Sequence, residues 1–188
     1  MRAWQINSGD GVAALELADV VAPEPGPGEV LIDVQASSIN YRDLTTIEDP
    51  ITRKLVFPTV PNSDGAGVVA AVGDGVTEFA PGDAVTSCFF ADWVSGEISP
   101  GAMASALGGA RQGVLAEQVV LPADGGIHTP SHLNAREAAT LPCAALTAWH
   151  ALTQPRPVVA GETVLILGTG GVSVFAQQFC AVMGAKTI

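Results

Sequence analysis

Apolar positions in the first half of the chain come in short runs broken by glycine, proline and acidic residues. Arg2-Ala3-Trp4-Gln5-Ile6 and Ala14-Leu15-Glu16-Leu17 read as two short strands around a Gly-Asp-Gly turn. Val21 to Glu29 is rich in proline and glycine. Proline has no N–H to give a ladder, so this stretch is a stiff surface connection and not a central strand. Val30 to Ala36 resumes as a strong strand, and Asn40-Tyr41-Arg42-Asp43-Leu44 follows at its end. Ala66 to Val72, Ala84 to Thr86 and Val114 to Leu121 are further strands, punctuated by Gly73-Asp74-Gly75 and Pro81-Gly82-Asp83. Many short strands with this punctuation predict a small barrel or sandwich. Asp92 to Gly113 stands apart: it is rich in glycine, alanine and serine and has little periodicity. It reads as a long loop or flap with one short helix near Met103 to Leu107, and long loops in compact domains are usually functional or mobile.

From Ser131 the period changes. Asn134 with Glu137 three residues later predicts a helix cap with a reaching carboxylate, and Ala135 to Leu141 continues as helix. Pro142 ends that helix but suits the first turn of another, in which Leu146, Trp149 and Leu152 recur at helical spacing. Gln154 to Gly161 is a turn. The apolar run Thr163 to Leu167 then leads into Gly168-Thr169-Gly170-Gly171-Val172-Ser173. An amphipathic run from Val174 to Met183 leads out, and Gly184 to Ile188 begins another apolar segment. Strand, glycine turn, helix and strand make the opening of a βαβ unit. Glycines let a backbone turn sharply and approach a ligand, and the N–H groups opening the helix can hold a pyrophosphate. The alternative is a tight turn without a ligand. Ser173 stands where a third glycine often sits. The residue that grips a ribose usually lies about 20 positions past the first glycine, at or beyond Ile188. The expected division is therefore a β-rich domain over 1–125 and a cofactor domain beginning at 126 and running to 188.

Composition narrows the possibilities. The chain has 188 residues, of which 48% are hydrophobic and 14% charged, enough to fill a core. A net charge of −11 with no basic run argues against nucleic acid, whose binding needs clustered lysine and arginine. No apolar stretch reaches the roughly 20 residues that span a bilayer. Met1 to Asn7 has no signal-peptide pattern, and Cys88, Cys143 and Cys180 are scattered and odd in number, so no disulfide framework is implied and a cytoplasmic setting is expected.

The order of motifs is specific. A Pro-Gly-rich turn leads to a strand and Asn40-Tyr41-Arg42-Asp43. Then come Pro61-Asn62-Ser63-Asp64-Gly65-Ala66-Gly67-Val68-Val69, Pro81-Gly82-Asp83, Leu141-Pro142-Cys143-Ala144-Ala145-Leu146-Thr147-Ala148-Trp149 and the glycine turn. The whole chain resembles the medium-chain dehydrogenase/reductase superfamily, in its branch related to quinone oxidoreductases. The resemblance implies an α+β, GroES-like β-barrel followed by the first part of an α/β Rossmann fold binding NADP or NAD. It also implies that the cofactor domain continues for several βα units past Ile188, and that the complete protein is a homodimer.

By resemblance, zinc-using members carry a cysteine after the strand, a histidine in the glycine-rich segment and a cysteine before the cofactor strand. Here Asn40 and Ser63 stand at the first two places and only Cys143 at the third. Catalytic zinc needs three protein ligands, so no zinc is expected. The four-cysteine structural lobe is absent too, and His128, His132 and His150 have no metal-ligand spacing. The expected function is zinc-independent, NAD(P)H-dependent hydride transfer to activated carbonyls such as quinones or enones, with a small-molecule substrate and neither nucleic acid nor membrane as partner. The alternatives are an NAD(P)-dependent alcohol dehydrogenase, or a non-catalytic fragment if the chain ends at 188; the 188-residue chain alone is expected to be inactive. Asn40 and Tyr41 are candidate donors to the substrate oxygen. Arg42 is a candidate phosphate or substrate ligand or a plain surface arginine, and Asp43 is expected to hold the loop by accepting backbone N–H groups. Thr147, Gly168, Thr169, Gly170, Gly171, Val172 and Ser173 are the candidate cofactor contacts, with helix packing as the alternative for Thr147. Cys143 is expected to be an inert buried thiol.

Overall fold

The computed structural model describes residues 1–188. The chain divides into two compact units, Met1–Ala139 and Thr140–Ile188.

In the first unit, β1 (Arg2–Ile6) and β2 (Leu15–Asp19) form an antiparallel hairpin with Ala3 opposite Ala18. Ala3 and Ile6 turn inward and are fully buried. The main sheet centres on β3 (Glu29–Ser38). β4 (Asp64–Val72) pairs on one side of it and β6 (Gln118–Pro122) on the other, while β5 (Ala84–Ser87) and β7 (Gly126–His128) extend the β4 side. Every pairing is antiparallel. Irregularities at Leu31/Ile32 and Val34/Ala36 bend β3 and strengthen its twist, which lets the sheet curl. Bridges from Ala3 to Ala116 and from Ile6 to Thr59 attach the hairpin. The core is Val30, Ile32, Val69, Phe79, Val85, Leu107, Val114, Val119 and Leu121 with Ala91. Alternate residues of β3 and β6 supply it, as a sheet with one buried face requires.

Several elements differ from the sequence expectation. The stretch after β3 is a helix, α1 (Tyr41–Glu48): Asp43, Thr46 and Ile47 fall on one side of it and are buried, at the i, i+3, i+4 spacing of a helix face. The short helix of the long loop is α2 (Pro100–Met103), set earlier because Ser99 Oγ accepts the Ala102 N–H at 3.1 Å and Pro100 suits the first turn. Only the end of Val114 to Leu121 joins the ladder; the N–H groups of Val114 and Leu115 go to the carbonyls of Asn62 and Pro61. α3 (Ala135–Ala138) is capped as its motif predicts: Asn134 Oδ1 accepts from Arg136 and Glu137 at 2.9 and 3.1 Å, and Glu137 reaches back to the Asn134 N–H at 3.0 Å. Ala138 and Ala139 close on Ala66 and Ala36 of the sheet. β7 and α3 thus pack with the first unit, which runs to Ala139. The switch from strand-like to helix-like pattern precedes the switch of packing partners.

In the second unit, Leu141–Ala145 forms one π turn with Pro142 in its first positions, and α4 (Leu146–Thr153) continues from it. β8 (Thr163–Val164), α5 (Gly171–Val182) and β9 (Lys186–Thr187) follow, with β8 and β9 parallel. Further bonds from Ile166 to Ile188 and from Ile188 to Val164 prolong that pairing. The Trp149 and Phe179 rings meet edge to face at 5.4 Å and join α4 to α5. No helix is long and apolar enough to cross a membrane.

Candidate functional site

At the end of β3 the chain turns through Asn40, which has extended backbone angles and caps α1. Asp43 Oδ2 accepts the Asn40 N–H at 2.8 Å, and the Asp43 N–H returns to the Asn40 carbonyl at 2.9 Å. Asp43 therefore holds this turn, the role expected of it. Burial raises its carboxyl above the ordinary value; the Asn40 N–H and then the Arg42 charge pull it back only in part. The Asn40 side chain is different. Its Nδ2 is buried and has no hydrogen-bond partner. An amide donor left so loses its hydration without return, at about 1–3 kcal/mol. Tyr41, beside it, is 81% exposed.

Arg42 is neither a surface arginine nor open to a ligand on all sides. Its Nη1 donates to the Leu107 carbonyl at 2.6 Å and lies 3.3 Å from Asp43 Oδ1, and its guanidinium stands 4.8 Å over the Phe89 ring.

Next to this turn Asn62, Ser63 and Asp64 of the glycine-rich motif join Ser37 and Ser87 in a buried polar network, a linkage the sequence reading did not foresee. Asn62, Ser63, Asp64 and Ser87 are nearly or fully buried. Ser63 donates to Asp64 Oδ1 at 2.6 Å, Ser87 donates to the Ser63 carbonyl at 3.0 Å and accepts the Gly65 N–H at 3.0 Å, and Asn62 Nδ2 donates to Ser37 Oγ at 3.1 Å. Ser37 in turn donates to the Asp64 carbonyl at 3.0 Å. The signal available was a cluster of small polar residues where apolar ones would continue a strand. Cys88, at the edge of this group, is driven up by burial and stays a thiol.

In the second unit Gly168 to Ser173 form the turn and first residues of α5. Gly168 has φ +81°, a conformation that strains any side chain. Gly170 caps α5, and the first intrahelical bond runs from Val174 to Gly170 at 3.0 Å, so the N–H groups of Gly171, Val172 and Ser173 have no partner within the helix. Ser173 Oγ donates to the Leu167 carbonyl at 2.9 Å and ties the turn to the strand. A cleft of about 260 Å³ opens beside the turn, lined by Ile166, Gly168, Thr169, Ser173, Gln177 and Thr187. The π turn abuts the helix start: a Cβ at Gly171 would lie 3.3 Å from the Ala144 methyl. Thr147 is exposed on α4. Cys143 is only partly buried, unlike the expectation, while Cys180 is the fully buried thiol. No three His, Cys, Asp or Glu side chains gather where they could hold a metal ion.

A curled antiparallel sheet with this strand-end turn, followed by a strand, glycine turn, helix and parallel strand, is a GroES-like domain joined to the beginning of a Rossmann fold. The alcohol dehydrogenase GroES-like domain family matches residues 26–131. A zinc-type alcohol dehydrogenase-like protein of Schizosaccharomyces pombe is 47% identical over 162 residues, 85% of this chain and 47% of the relative. A chloroplastic quinone oxidoreductase of Triphysaria versicolor is 37% identical over 95% of this chain and 51% of its own length. The crystal structure of a candidate alcohol dehydrogenase from Sinorhizobium meliloti superposes with a TM-score of 0.91 at 42% identity, over 99% of this chain and 55% of that one. The chain belongs to the medium-chain dehydrogenase/reductase superfamily, and it spans about half the length of the curated relatives it matches.

Proposed function

We propose that the complete protein is an NAD(P)H-dependent oxidoreductase that reduces activated carbonyls, quinones or enones, without zinc. The observation that carries this reading is the orphaned Nδ2 of Asn40. A buried donor without an acceptor is a group waiting for one, and a carbonyl oxygen of the substrate fits its chemistry. Bound nicotinamide supplies the hydride. As hydride reaches a carbon conjugated to the carbonyl, negative charge grows on the oxygen, and a fixed N–H donor there stabilises the charge more than it stabilises the ground state. The backbone of Asn40 is held for this by Asp43 at 2.8 Å. Thr147 and Gly168 to Ser173 would hold the dinucleotide, and the free N–H groups that open α5 would offer donors to its phosphates.

Zinc does not fit the residues present. Asn40 and Ser63 stand where zinc members carry ligands, Ser63 is committed to Asp64 at 2.6 Å, and no triad of donors assembles. A second reading, oxidation of a secondary alcohol, is favoured by the alcohol dehydrogenase names among the relatives.

The test uses the complete enzyme with NADPH and NADH against quinones, enones and secondary alcohols, with metal analysis and product identification. Asn40→Ala is expected to lower kcat with quinones or enones about a hundredfold, the order found for removing one oxyanion donor. Unchanged turnover in that variant ends the role of Asn40. Stoichiometric zinc in active protein ends the zinc-free reading, and turnover of alcohols alone moves the conclusion to the second reading.

A further inference from the structure

The guanidinium of Arg42 is engaged on several sides by one segment of its own chain. Phe89, over whose ring it stacks at 4.8 Å, opens that segment; Leu107, whose carbonyl accepts from Nη1 at 2.6 Å, stands near its close. Gly109 packs so tightly that a Cβ there would lie 2.9 Å from Nη2. The segment is also tied to itself. Phe90 bridges Ala106, the Asp92 N–H donates to Ser105 Oγ at 3.0 Å, and Arg111 Nη2 reaches both oxygens of Asp92 at 2.9 and 2.7 Å. Both limbs of the segment therefore converge on Arg42. The same Nη1 also donates to Asp43 Oδ1 at 3.3 Å, and Asp43 holds the Asn40 N–H at 2.8 Å. A continuous path runs from the segment through Arg42 and Asp43 to the donor residue.

Arginine suits this task because its guanidinium is flat. It can stack on an aromatic face and still donate in its own plane, whereas an ammonium is a point charge that does neither in combination. The glycine at 109 is what leaves the plane room.

We propose that Arg42 is a positioning residue: it latches segment 89–109 to the first turn of α1 and so fixes Asn40 for the reaction, and it binds neither cofactor phosphate nor substrate. This rests on the reading of Asn40 as the donor to the substrate oxygen. The experiment compares Arg42→Ala, Arg42→Lys and Gly109→Ala in the complete enzyme by amide hydrogen exchange over 89–111, by NADPH Kd and by kcat with a quinone. In Arg42→Ala, exchange in 105–111 is expected to rise roughly tenfold, and kcat to fall by a similar factor, with the NADPH Kd unchanged. Arg42→Lys restores neither, and Gly109→Ala, which displaces the guanidinium without removing it, gives a smaller version of both. Unaltered exchange in Arg42→Ala overturns the latch, and so does a tenfold weaker NADPH affinity, which would make Arg42 a phosphate ligand. Where Arg42→Ala does not fold, Gly109→Ala decides by the same two readings. Exchange needs no turnover, so a failure of the reductase reading, seen as an Asn40→Ala variant of normal kcat, stays distinguishable from a failure of the latch.

Discussion

The two units treat their strand ends in opposite ways. In the first, the turn after β3 and the start of β4 are closed over: Asn62, Ser63, Asp64 and Ser87 are at most 4% exposed, and each hydroxyl or amide of that network has a partner in the chain. In the second, Gly168 to Val172 are exposed, and a Cβ at Gly168 or Gly170 would meet nothing within 4 Å. The contrast separates residues kept for the fold from residues the fold does not explain. By that measure the first unit leaves one group over, the Nδ2 of Asn40, and the second leaves a run of backbone. The proposed hydride transfer would use both kinds of group, a donor for the growing charge and a cradle for a phosphate.

Two glycines sharpen the comparison, the larger effect first. Gly113 is buried, and a Cβ on it would stand 2.1 Å from the Pro61 carbonyl and 2.2 Å from that of Asn62. Backbone cannot yield as a side chain tip can. Gly113→Ala is therefore expected to destabilise the first unit by about 3 kcal/mol or more, at the top of the overpacking range, as read by urea denaturation. Gly170 has φ −74°, and open space where a methyl would go. Gly170→Ala should change stability by no more than about 0.5 kcal/mol, the usual surface value. If the turn is the proposed phosphate cradle, the same change should still weaken NADPH binding by the complete protein roughly tenfold, about 1.4 kcal/mol, because a methyl would occupy the open space beside the turn. If Gly170→Ala unfolds the protein, or binds NADPH normally, the glycine turn is no different in kind from Gly113 and the cradle reading falls.

What could be read from the sequence follows the same divide. The βαβ opening was legible because its signals are local: an apolar run, glycines and an amphipathic run adjacent in the chain. The capping of α3 by Asn134 and Glu137 was legible for the same reason, three residues apart. The strands of the barrel were legible in outline from their punctuation. The Asn40 turn was legible as a place, but α1 was not, since its buried face is Asp43, Thr46 and Ile47 and only one of these is apolar. The tie of Arg42 to Leu107 spans 65 positions, and that of Ser87 to Ser63 spans 24. Nothing in the residues near Arg42 distinguishes a latch from a ligand, because its partners are a distant carbonyl and a ring. The packing of α3 on the sheet was not legible, because small alanines, with little pattern of their own, carry that contact.

The smallest expected effect is a difference in sign with pH. Asp43, in the first unit, has its carboxyl raised above the ordinary 3.8 chiefly by burial. The folded chain then holds that proton more tightly than the unfolded chain. Its contribution to stability is fully present below 3.8 and is lost as pH rises through the folded value. Glu162, in the second unit, is lowered below the ordinary 4.5, first by the Arg156 side chain and then by the Val159 N–H. Its contribution is present above 4.5 and is lost as pH falls through the folded value. Urea denaturation of the wild type, Asp43→Asn and Glu162→Gln between pH 3 and 7 reads both. The stability advantage of wild type over Asp43→Asn is expected to be greatest at the acid end and to shrink as pH rises. The advantage over Glu162→Gln should be greatest near neutrality and shrink in acid, and it should be small, because this ion pair lies at the surface where water screens it. An Asp43 advantage that grows with pH would mean that Arg42 and the Asn40 N–H outweigh burial, and the closed first unit would then treat its carboxylate as the open second unit does.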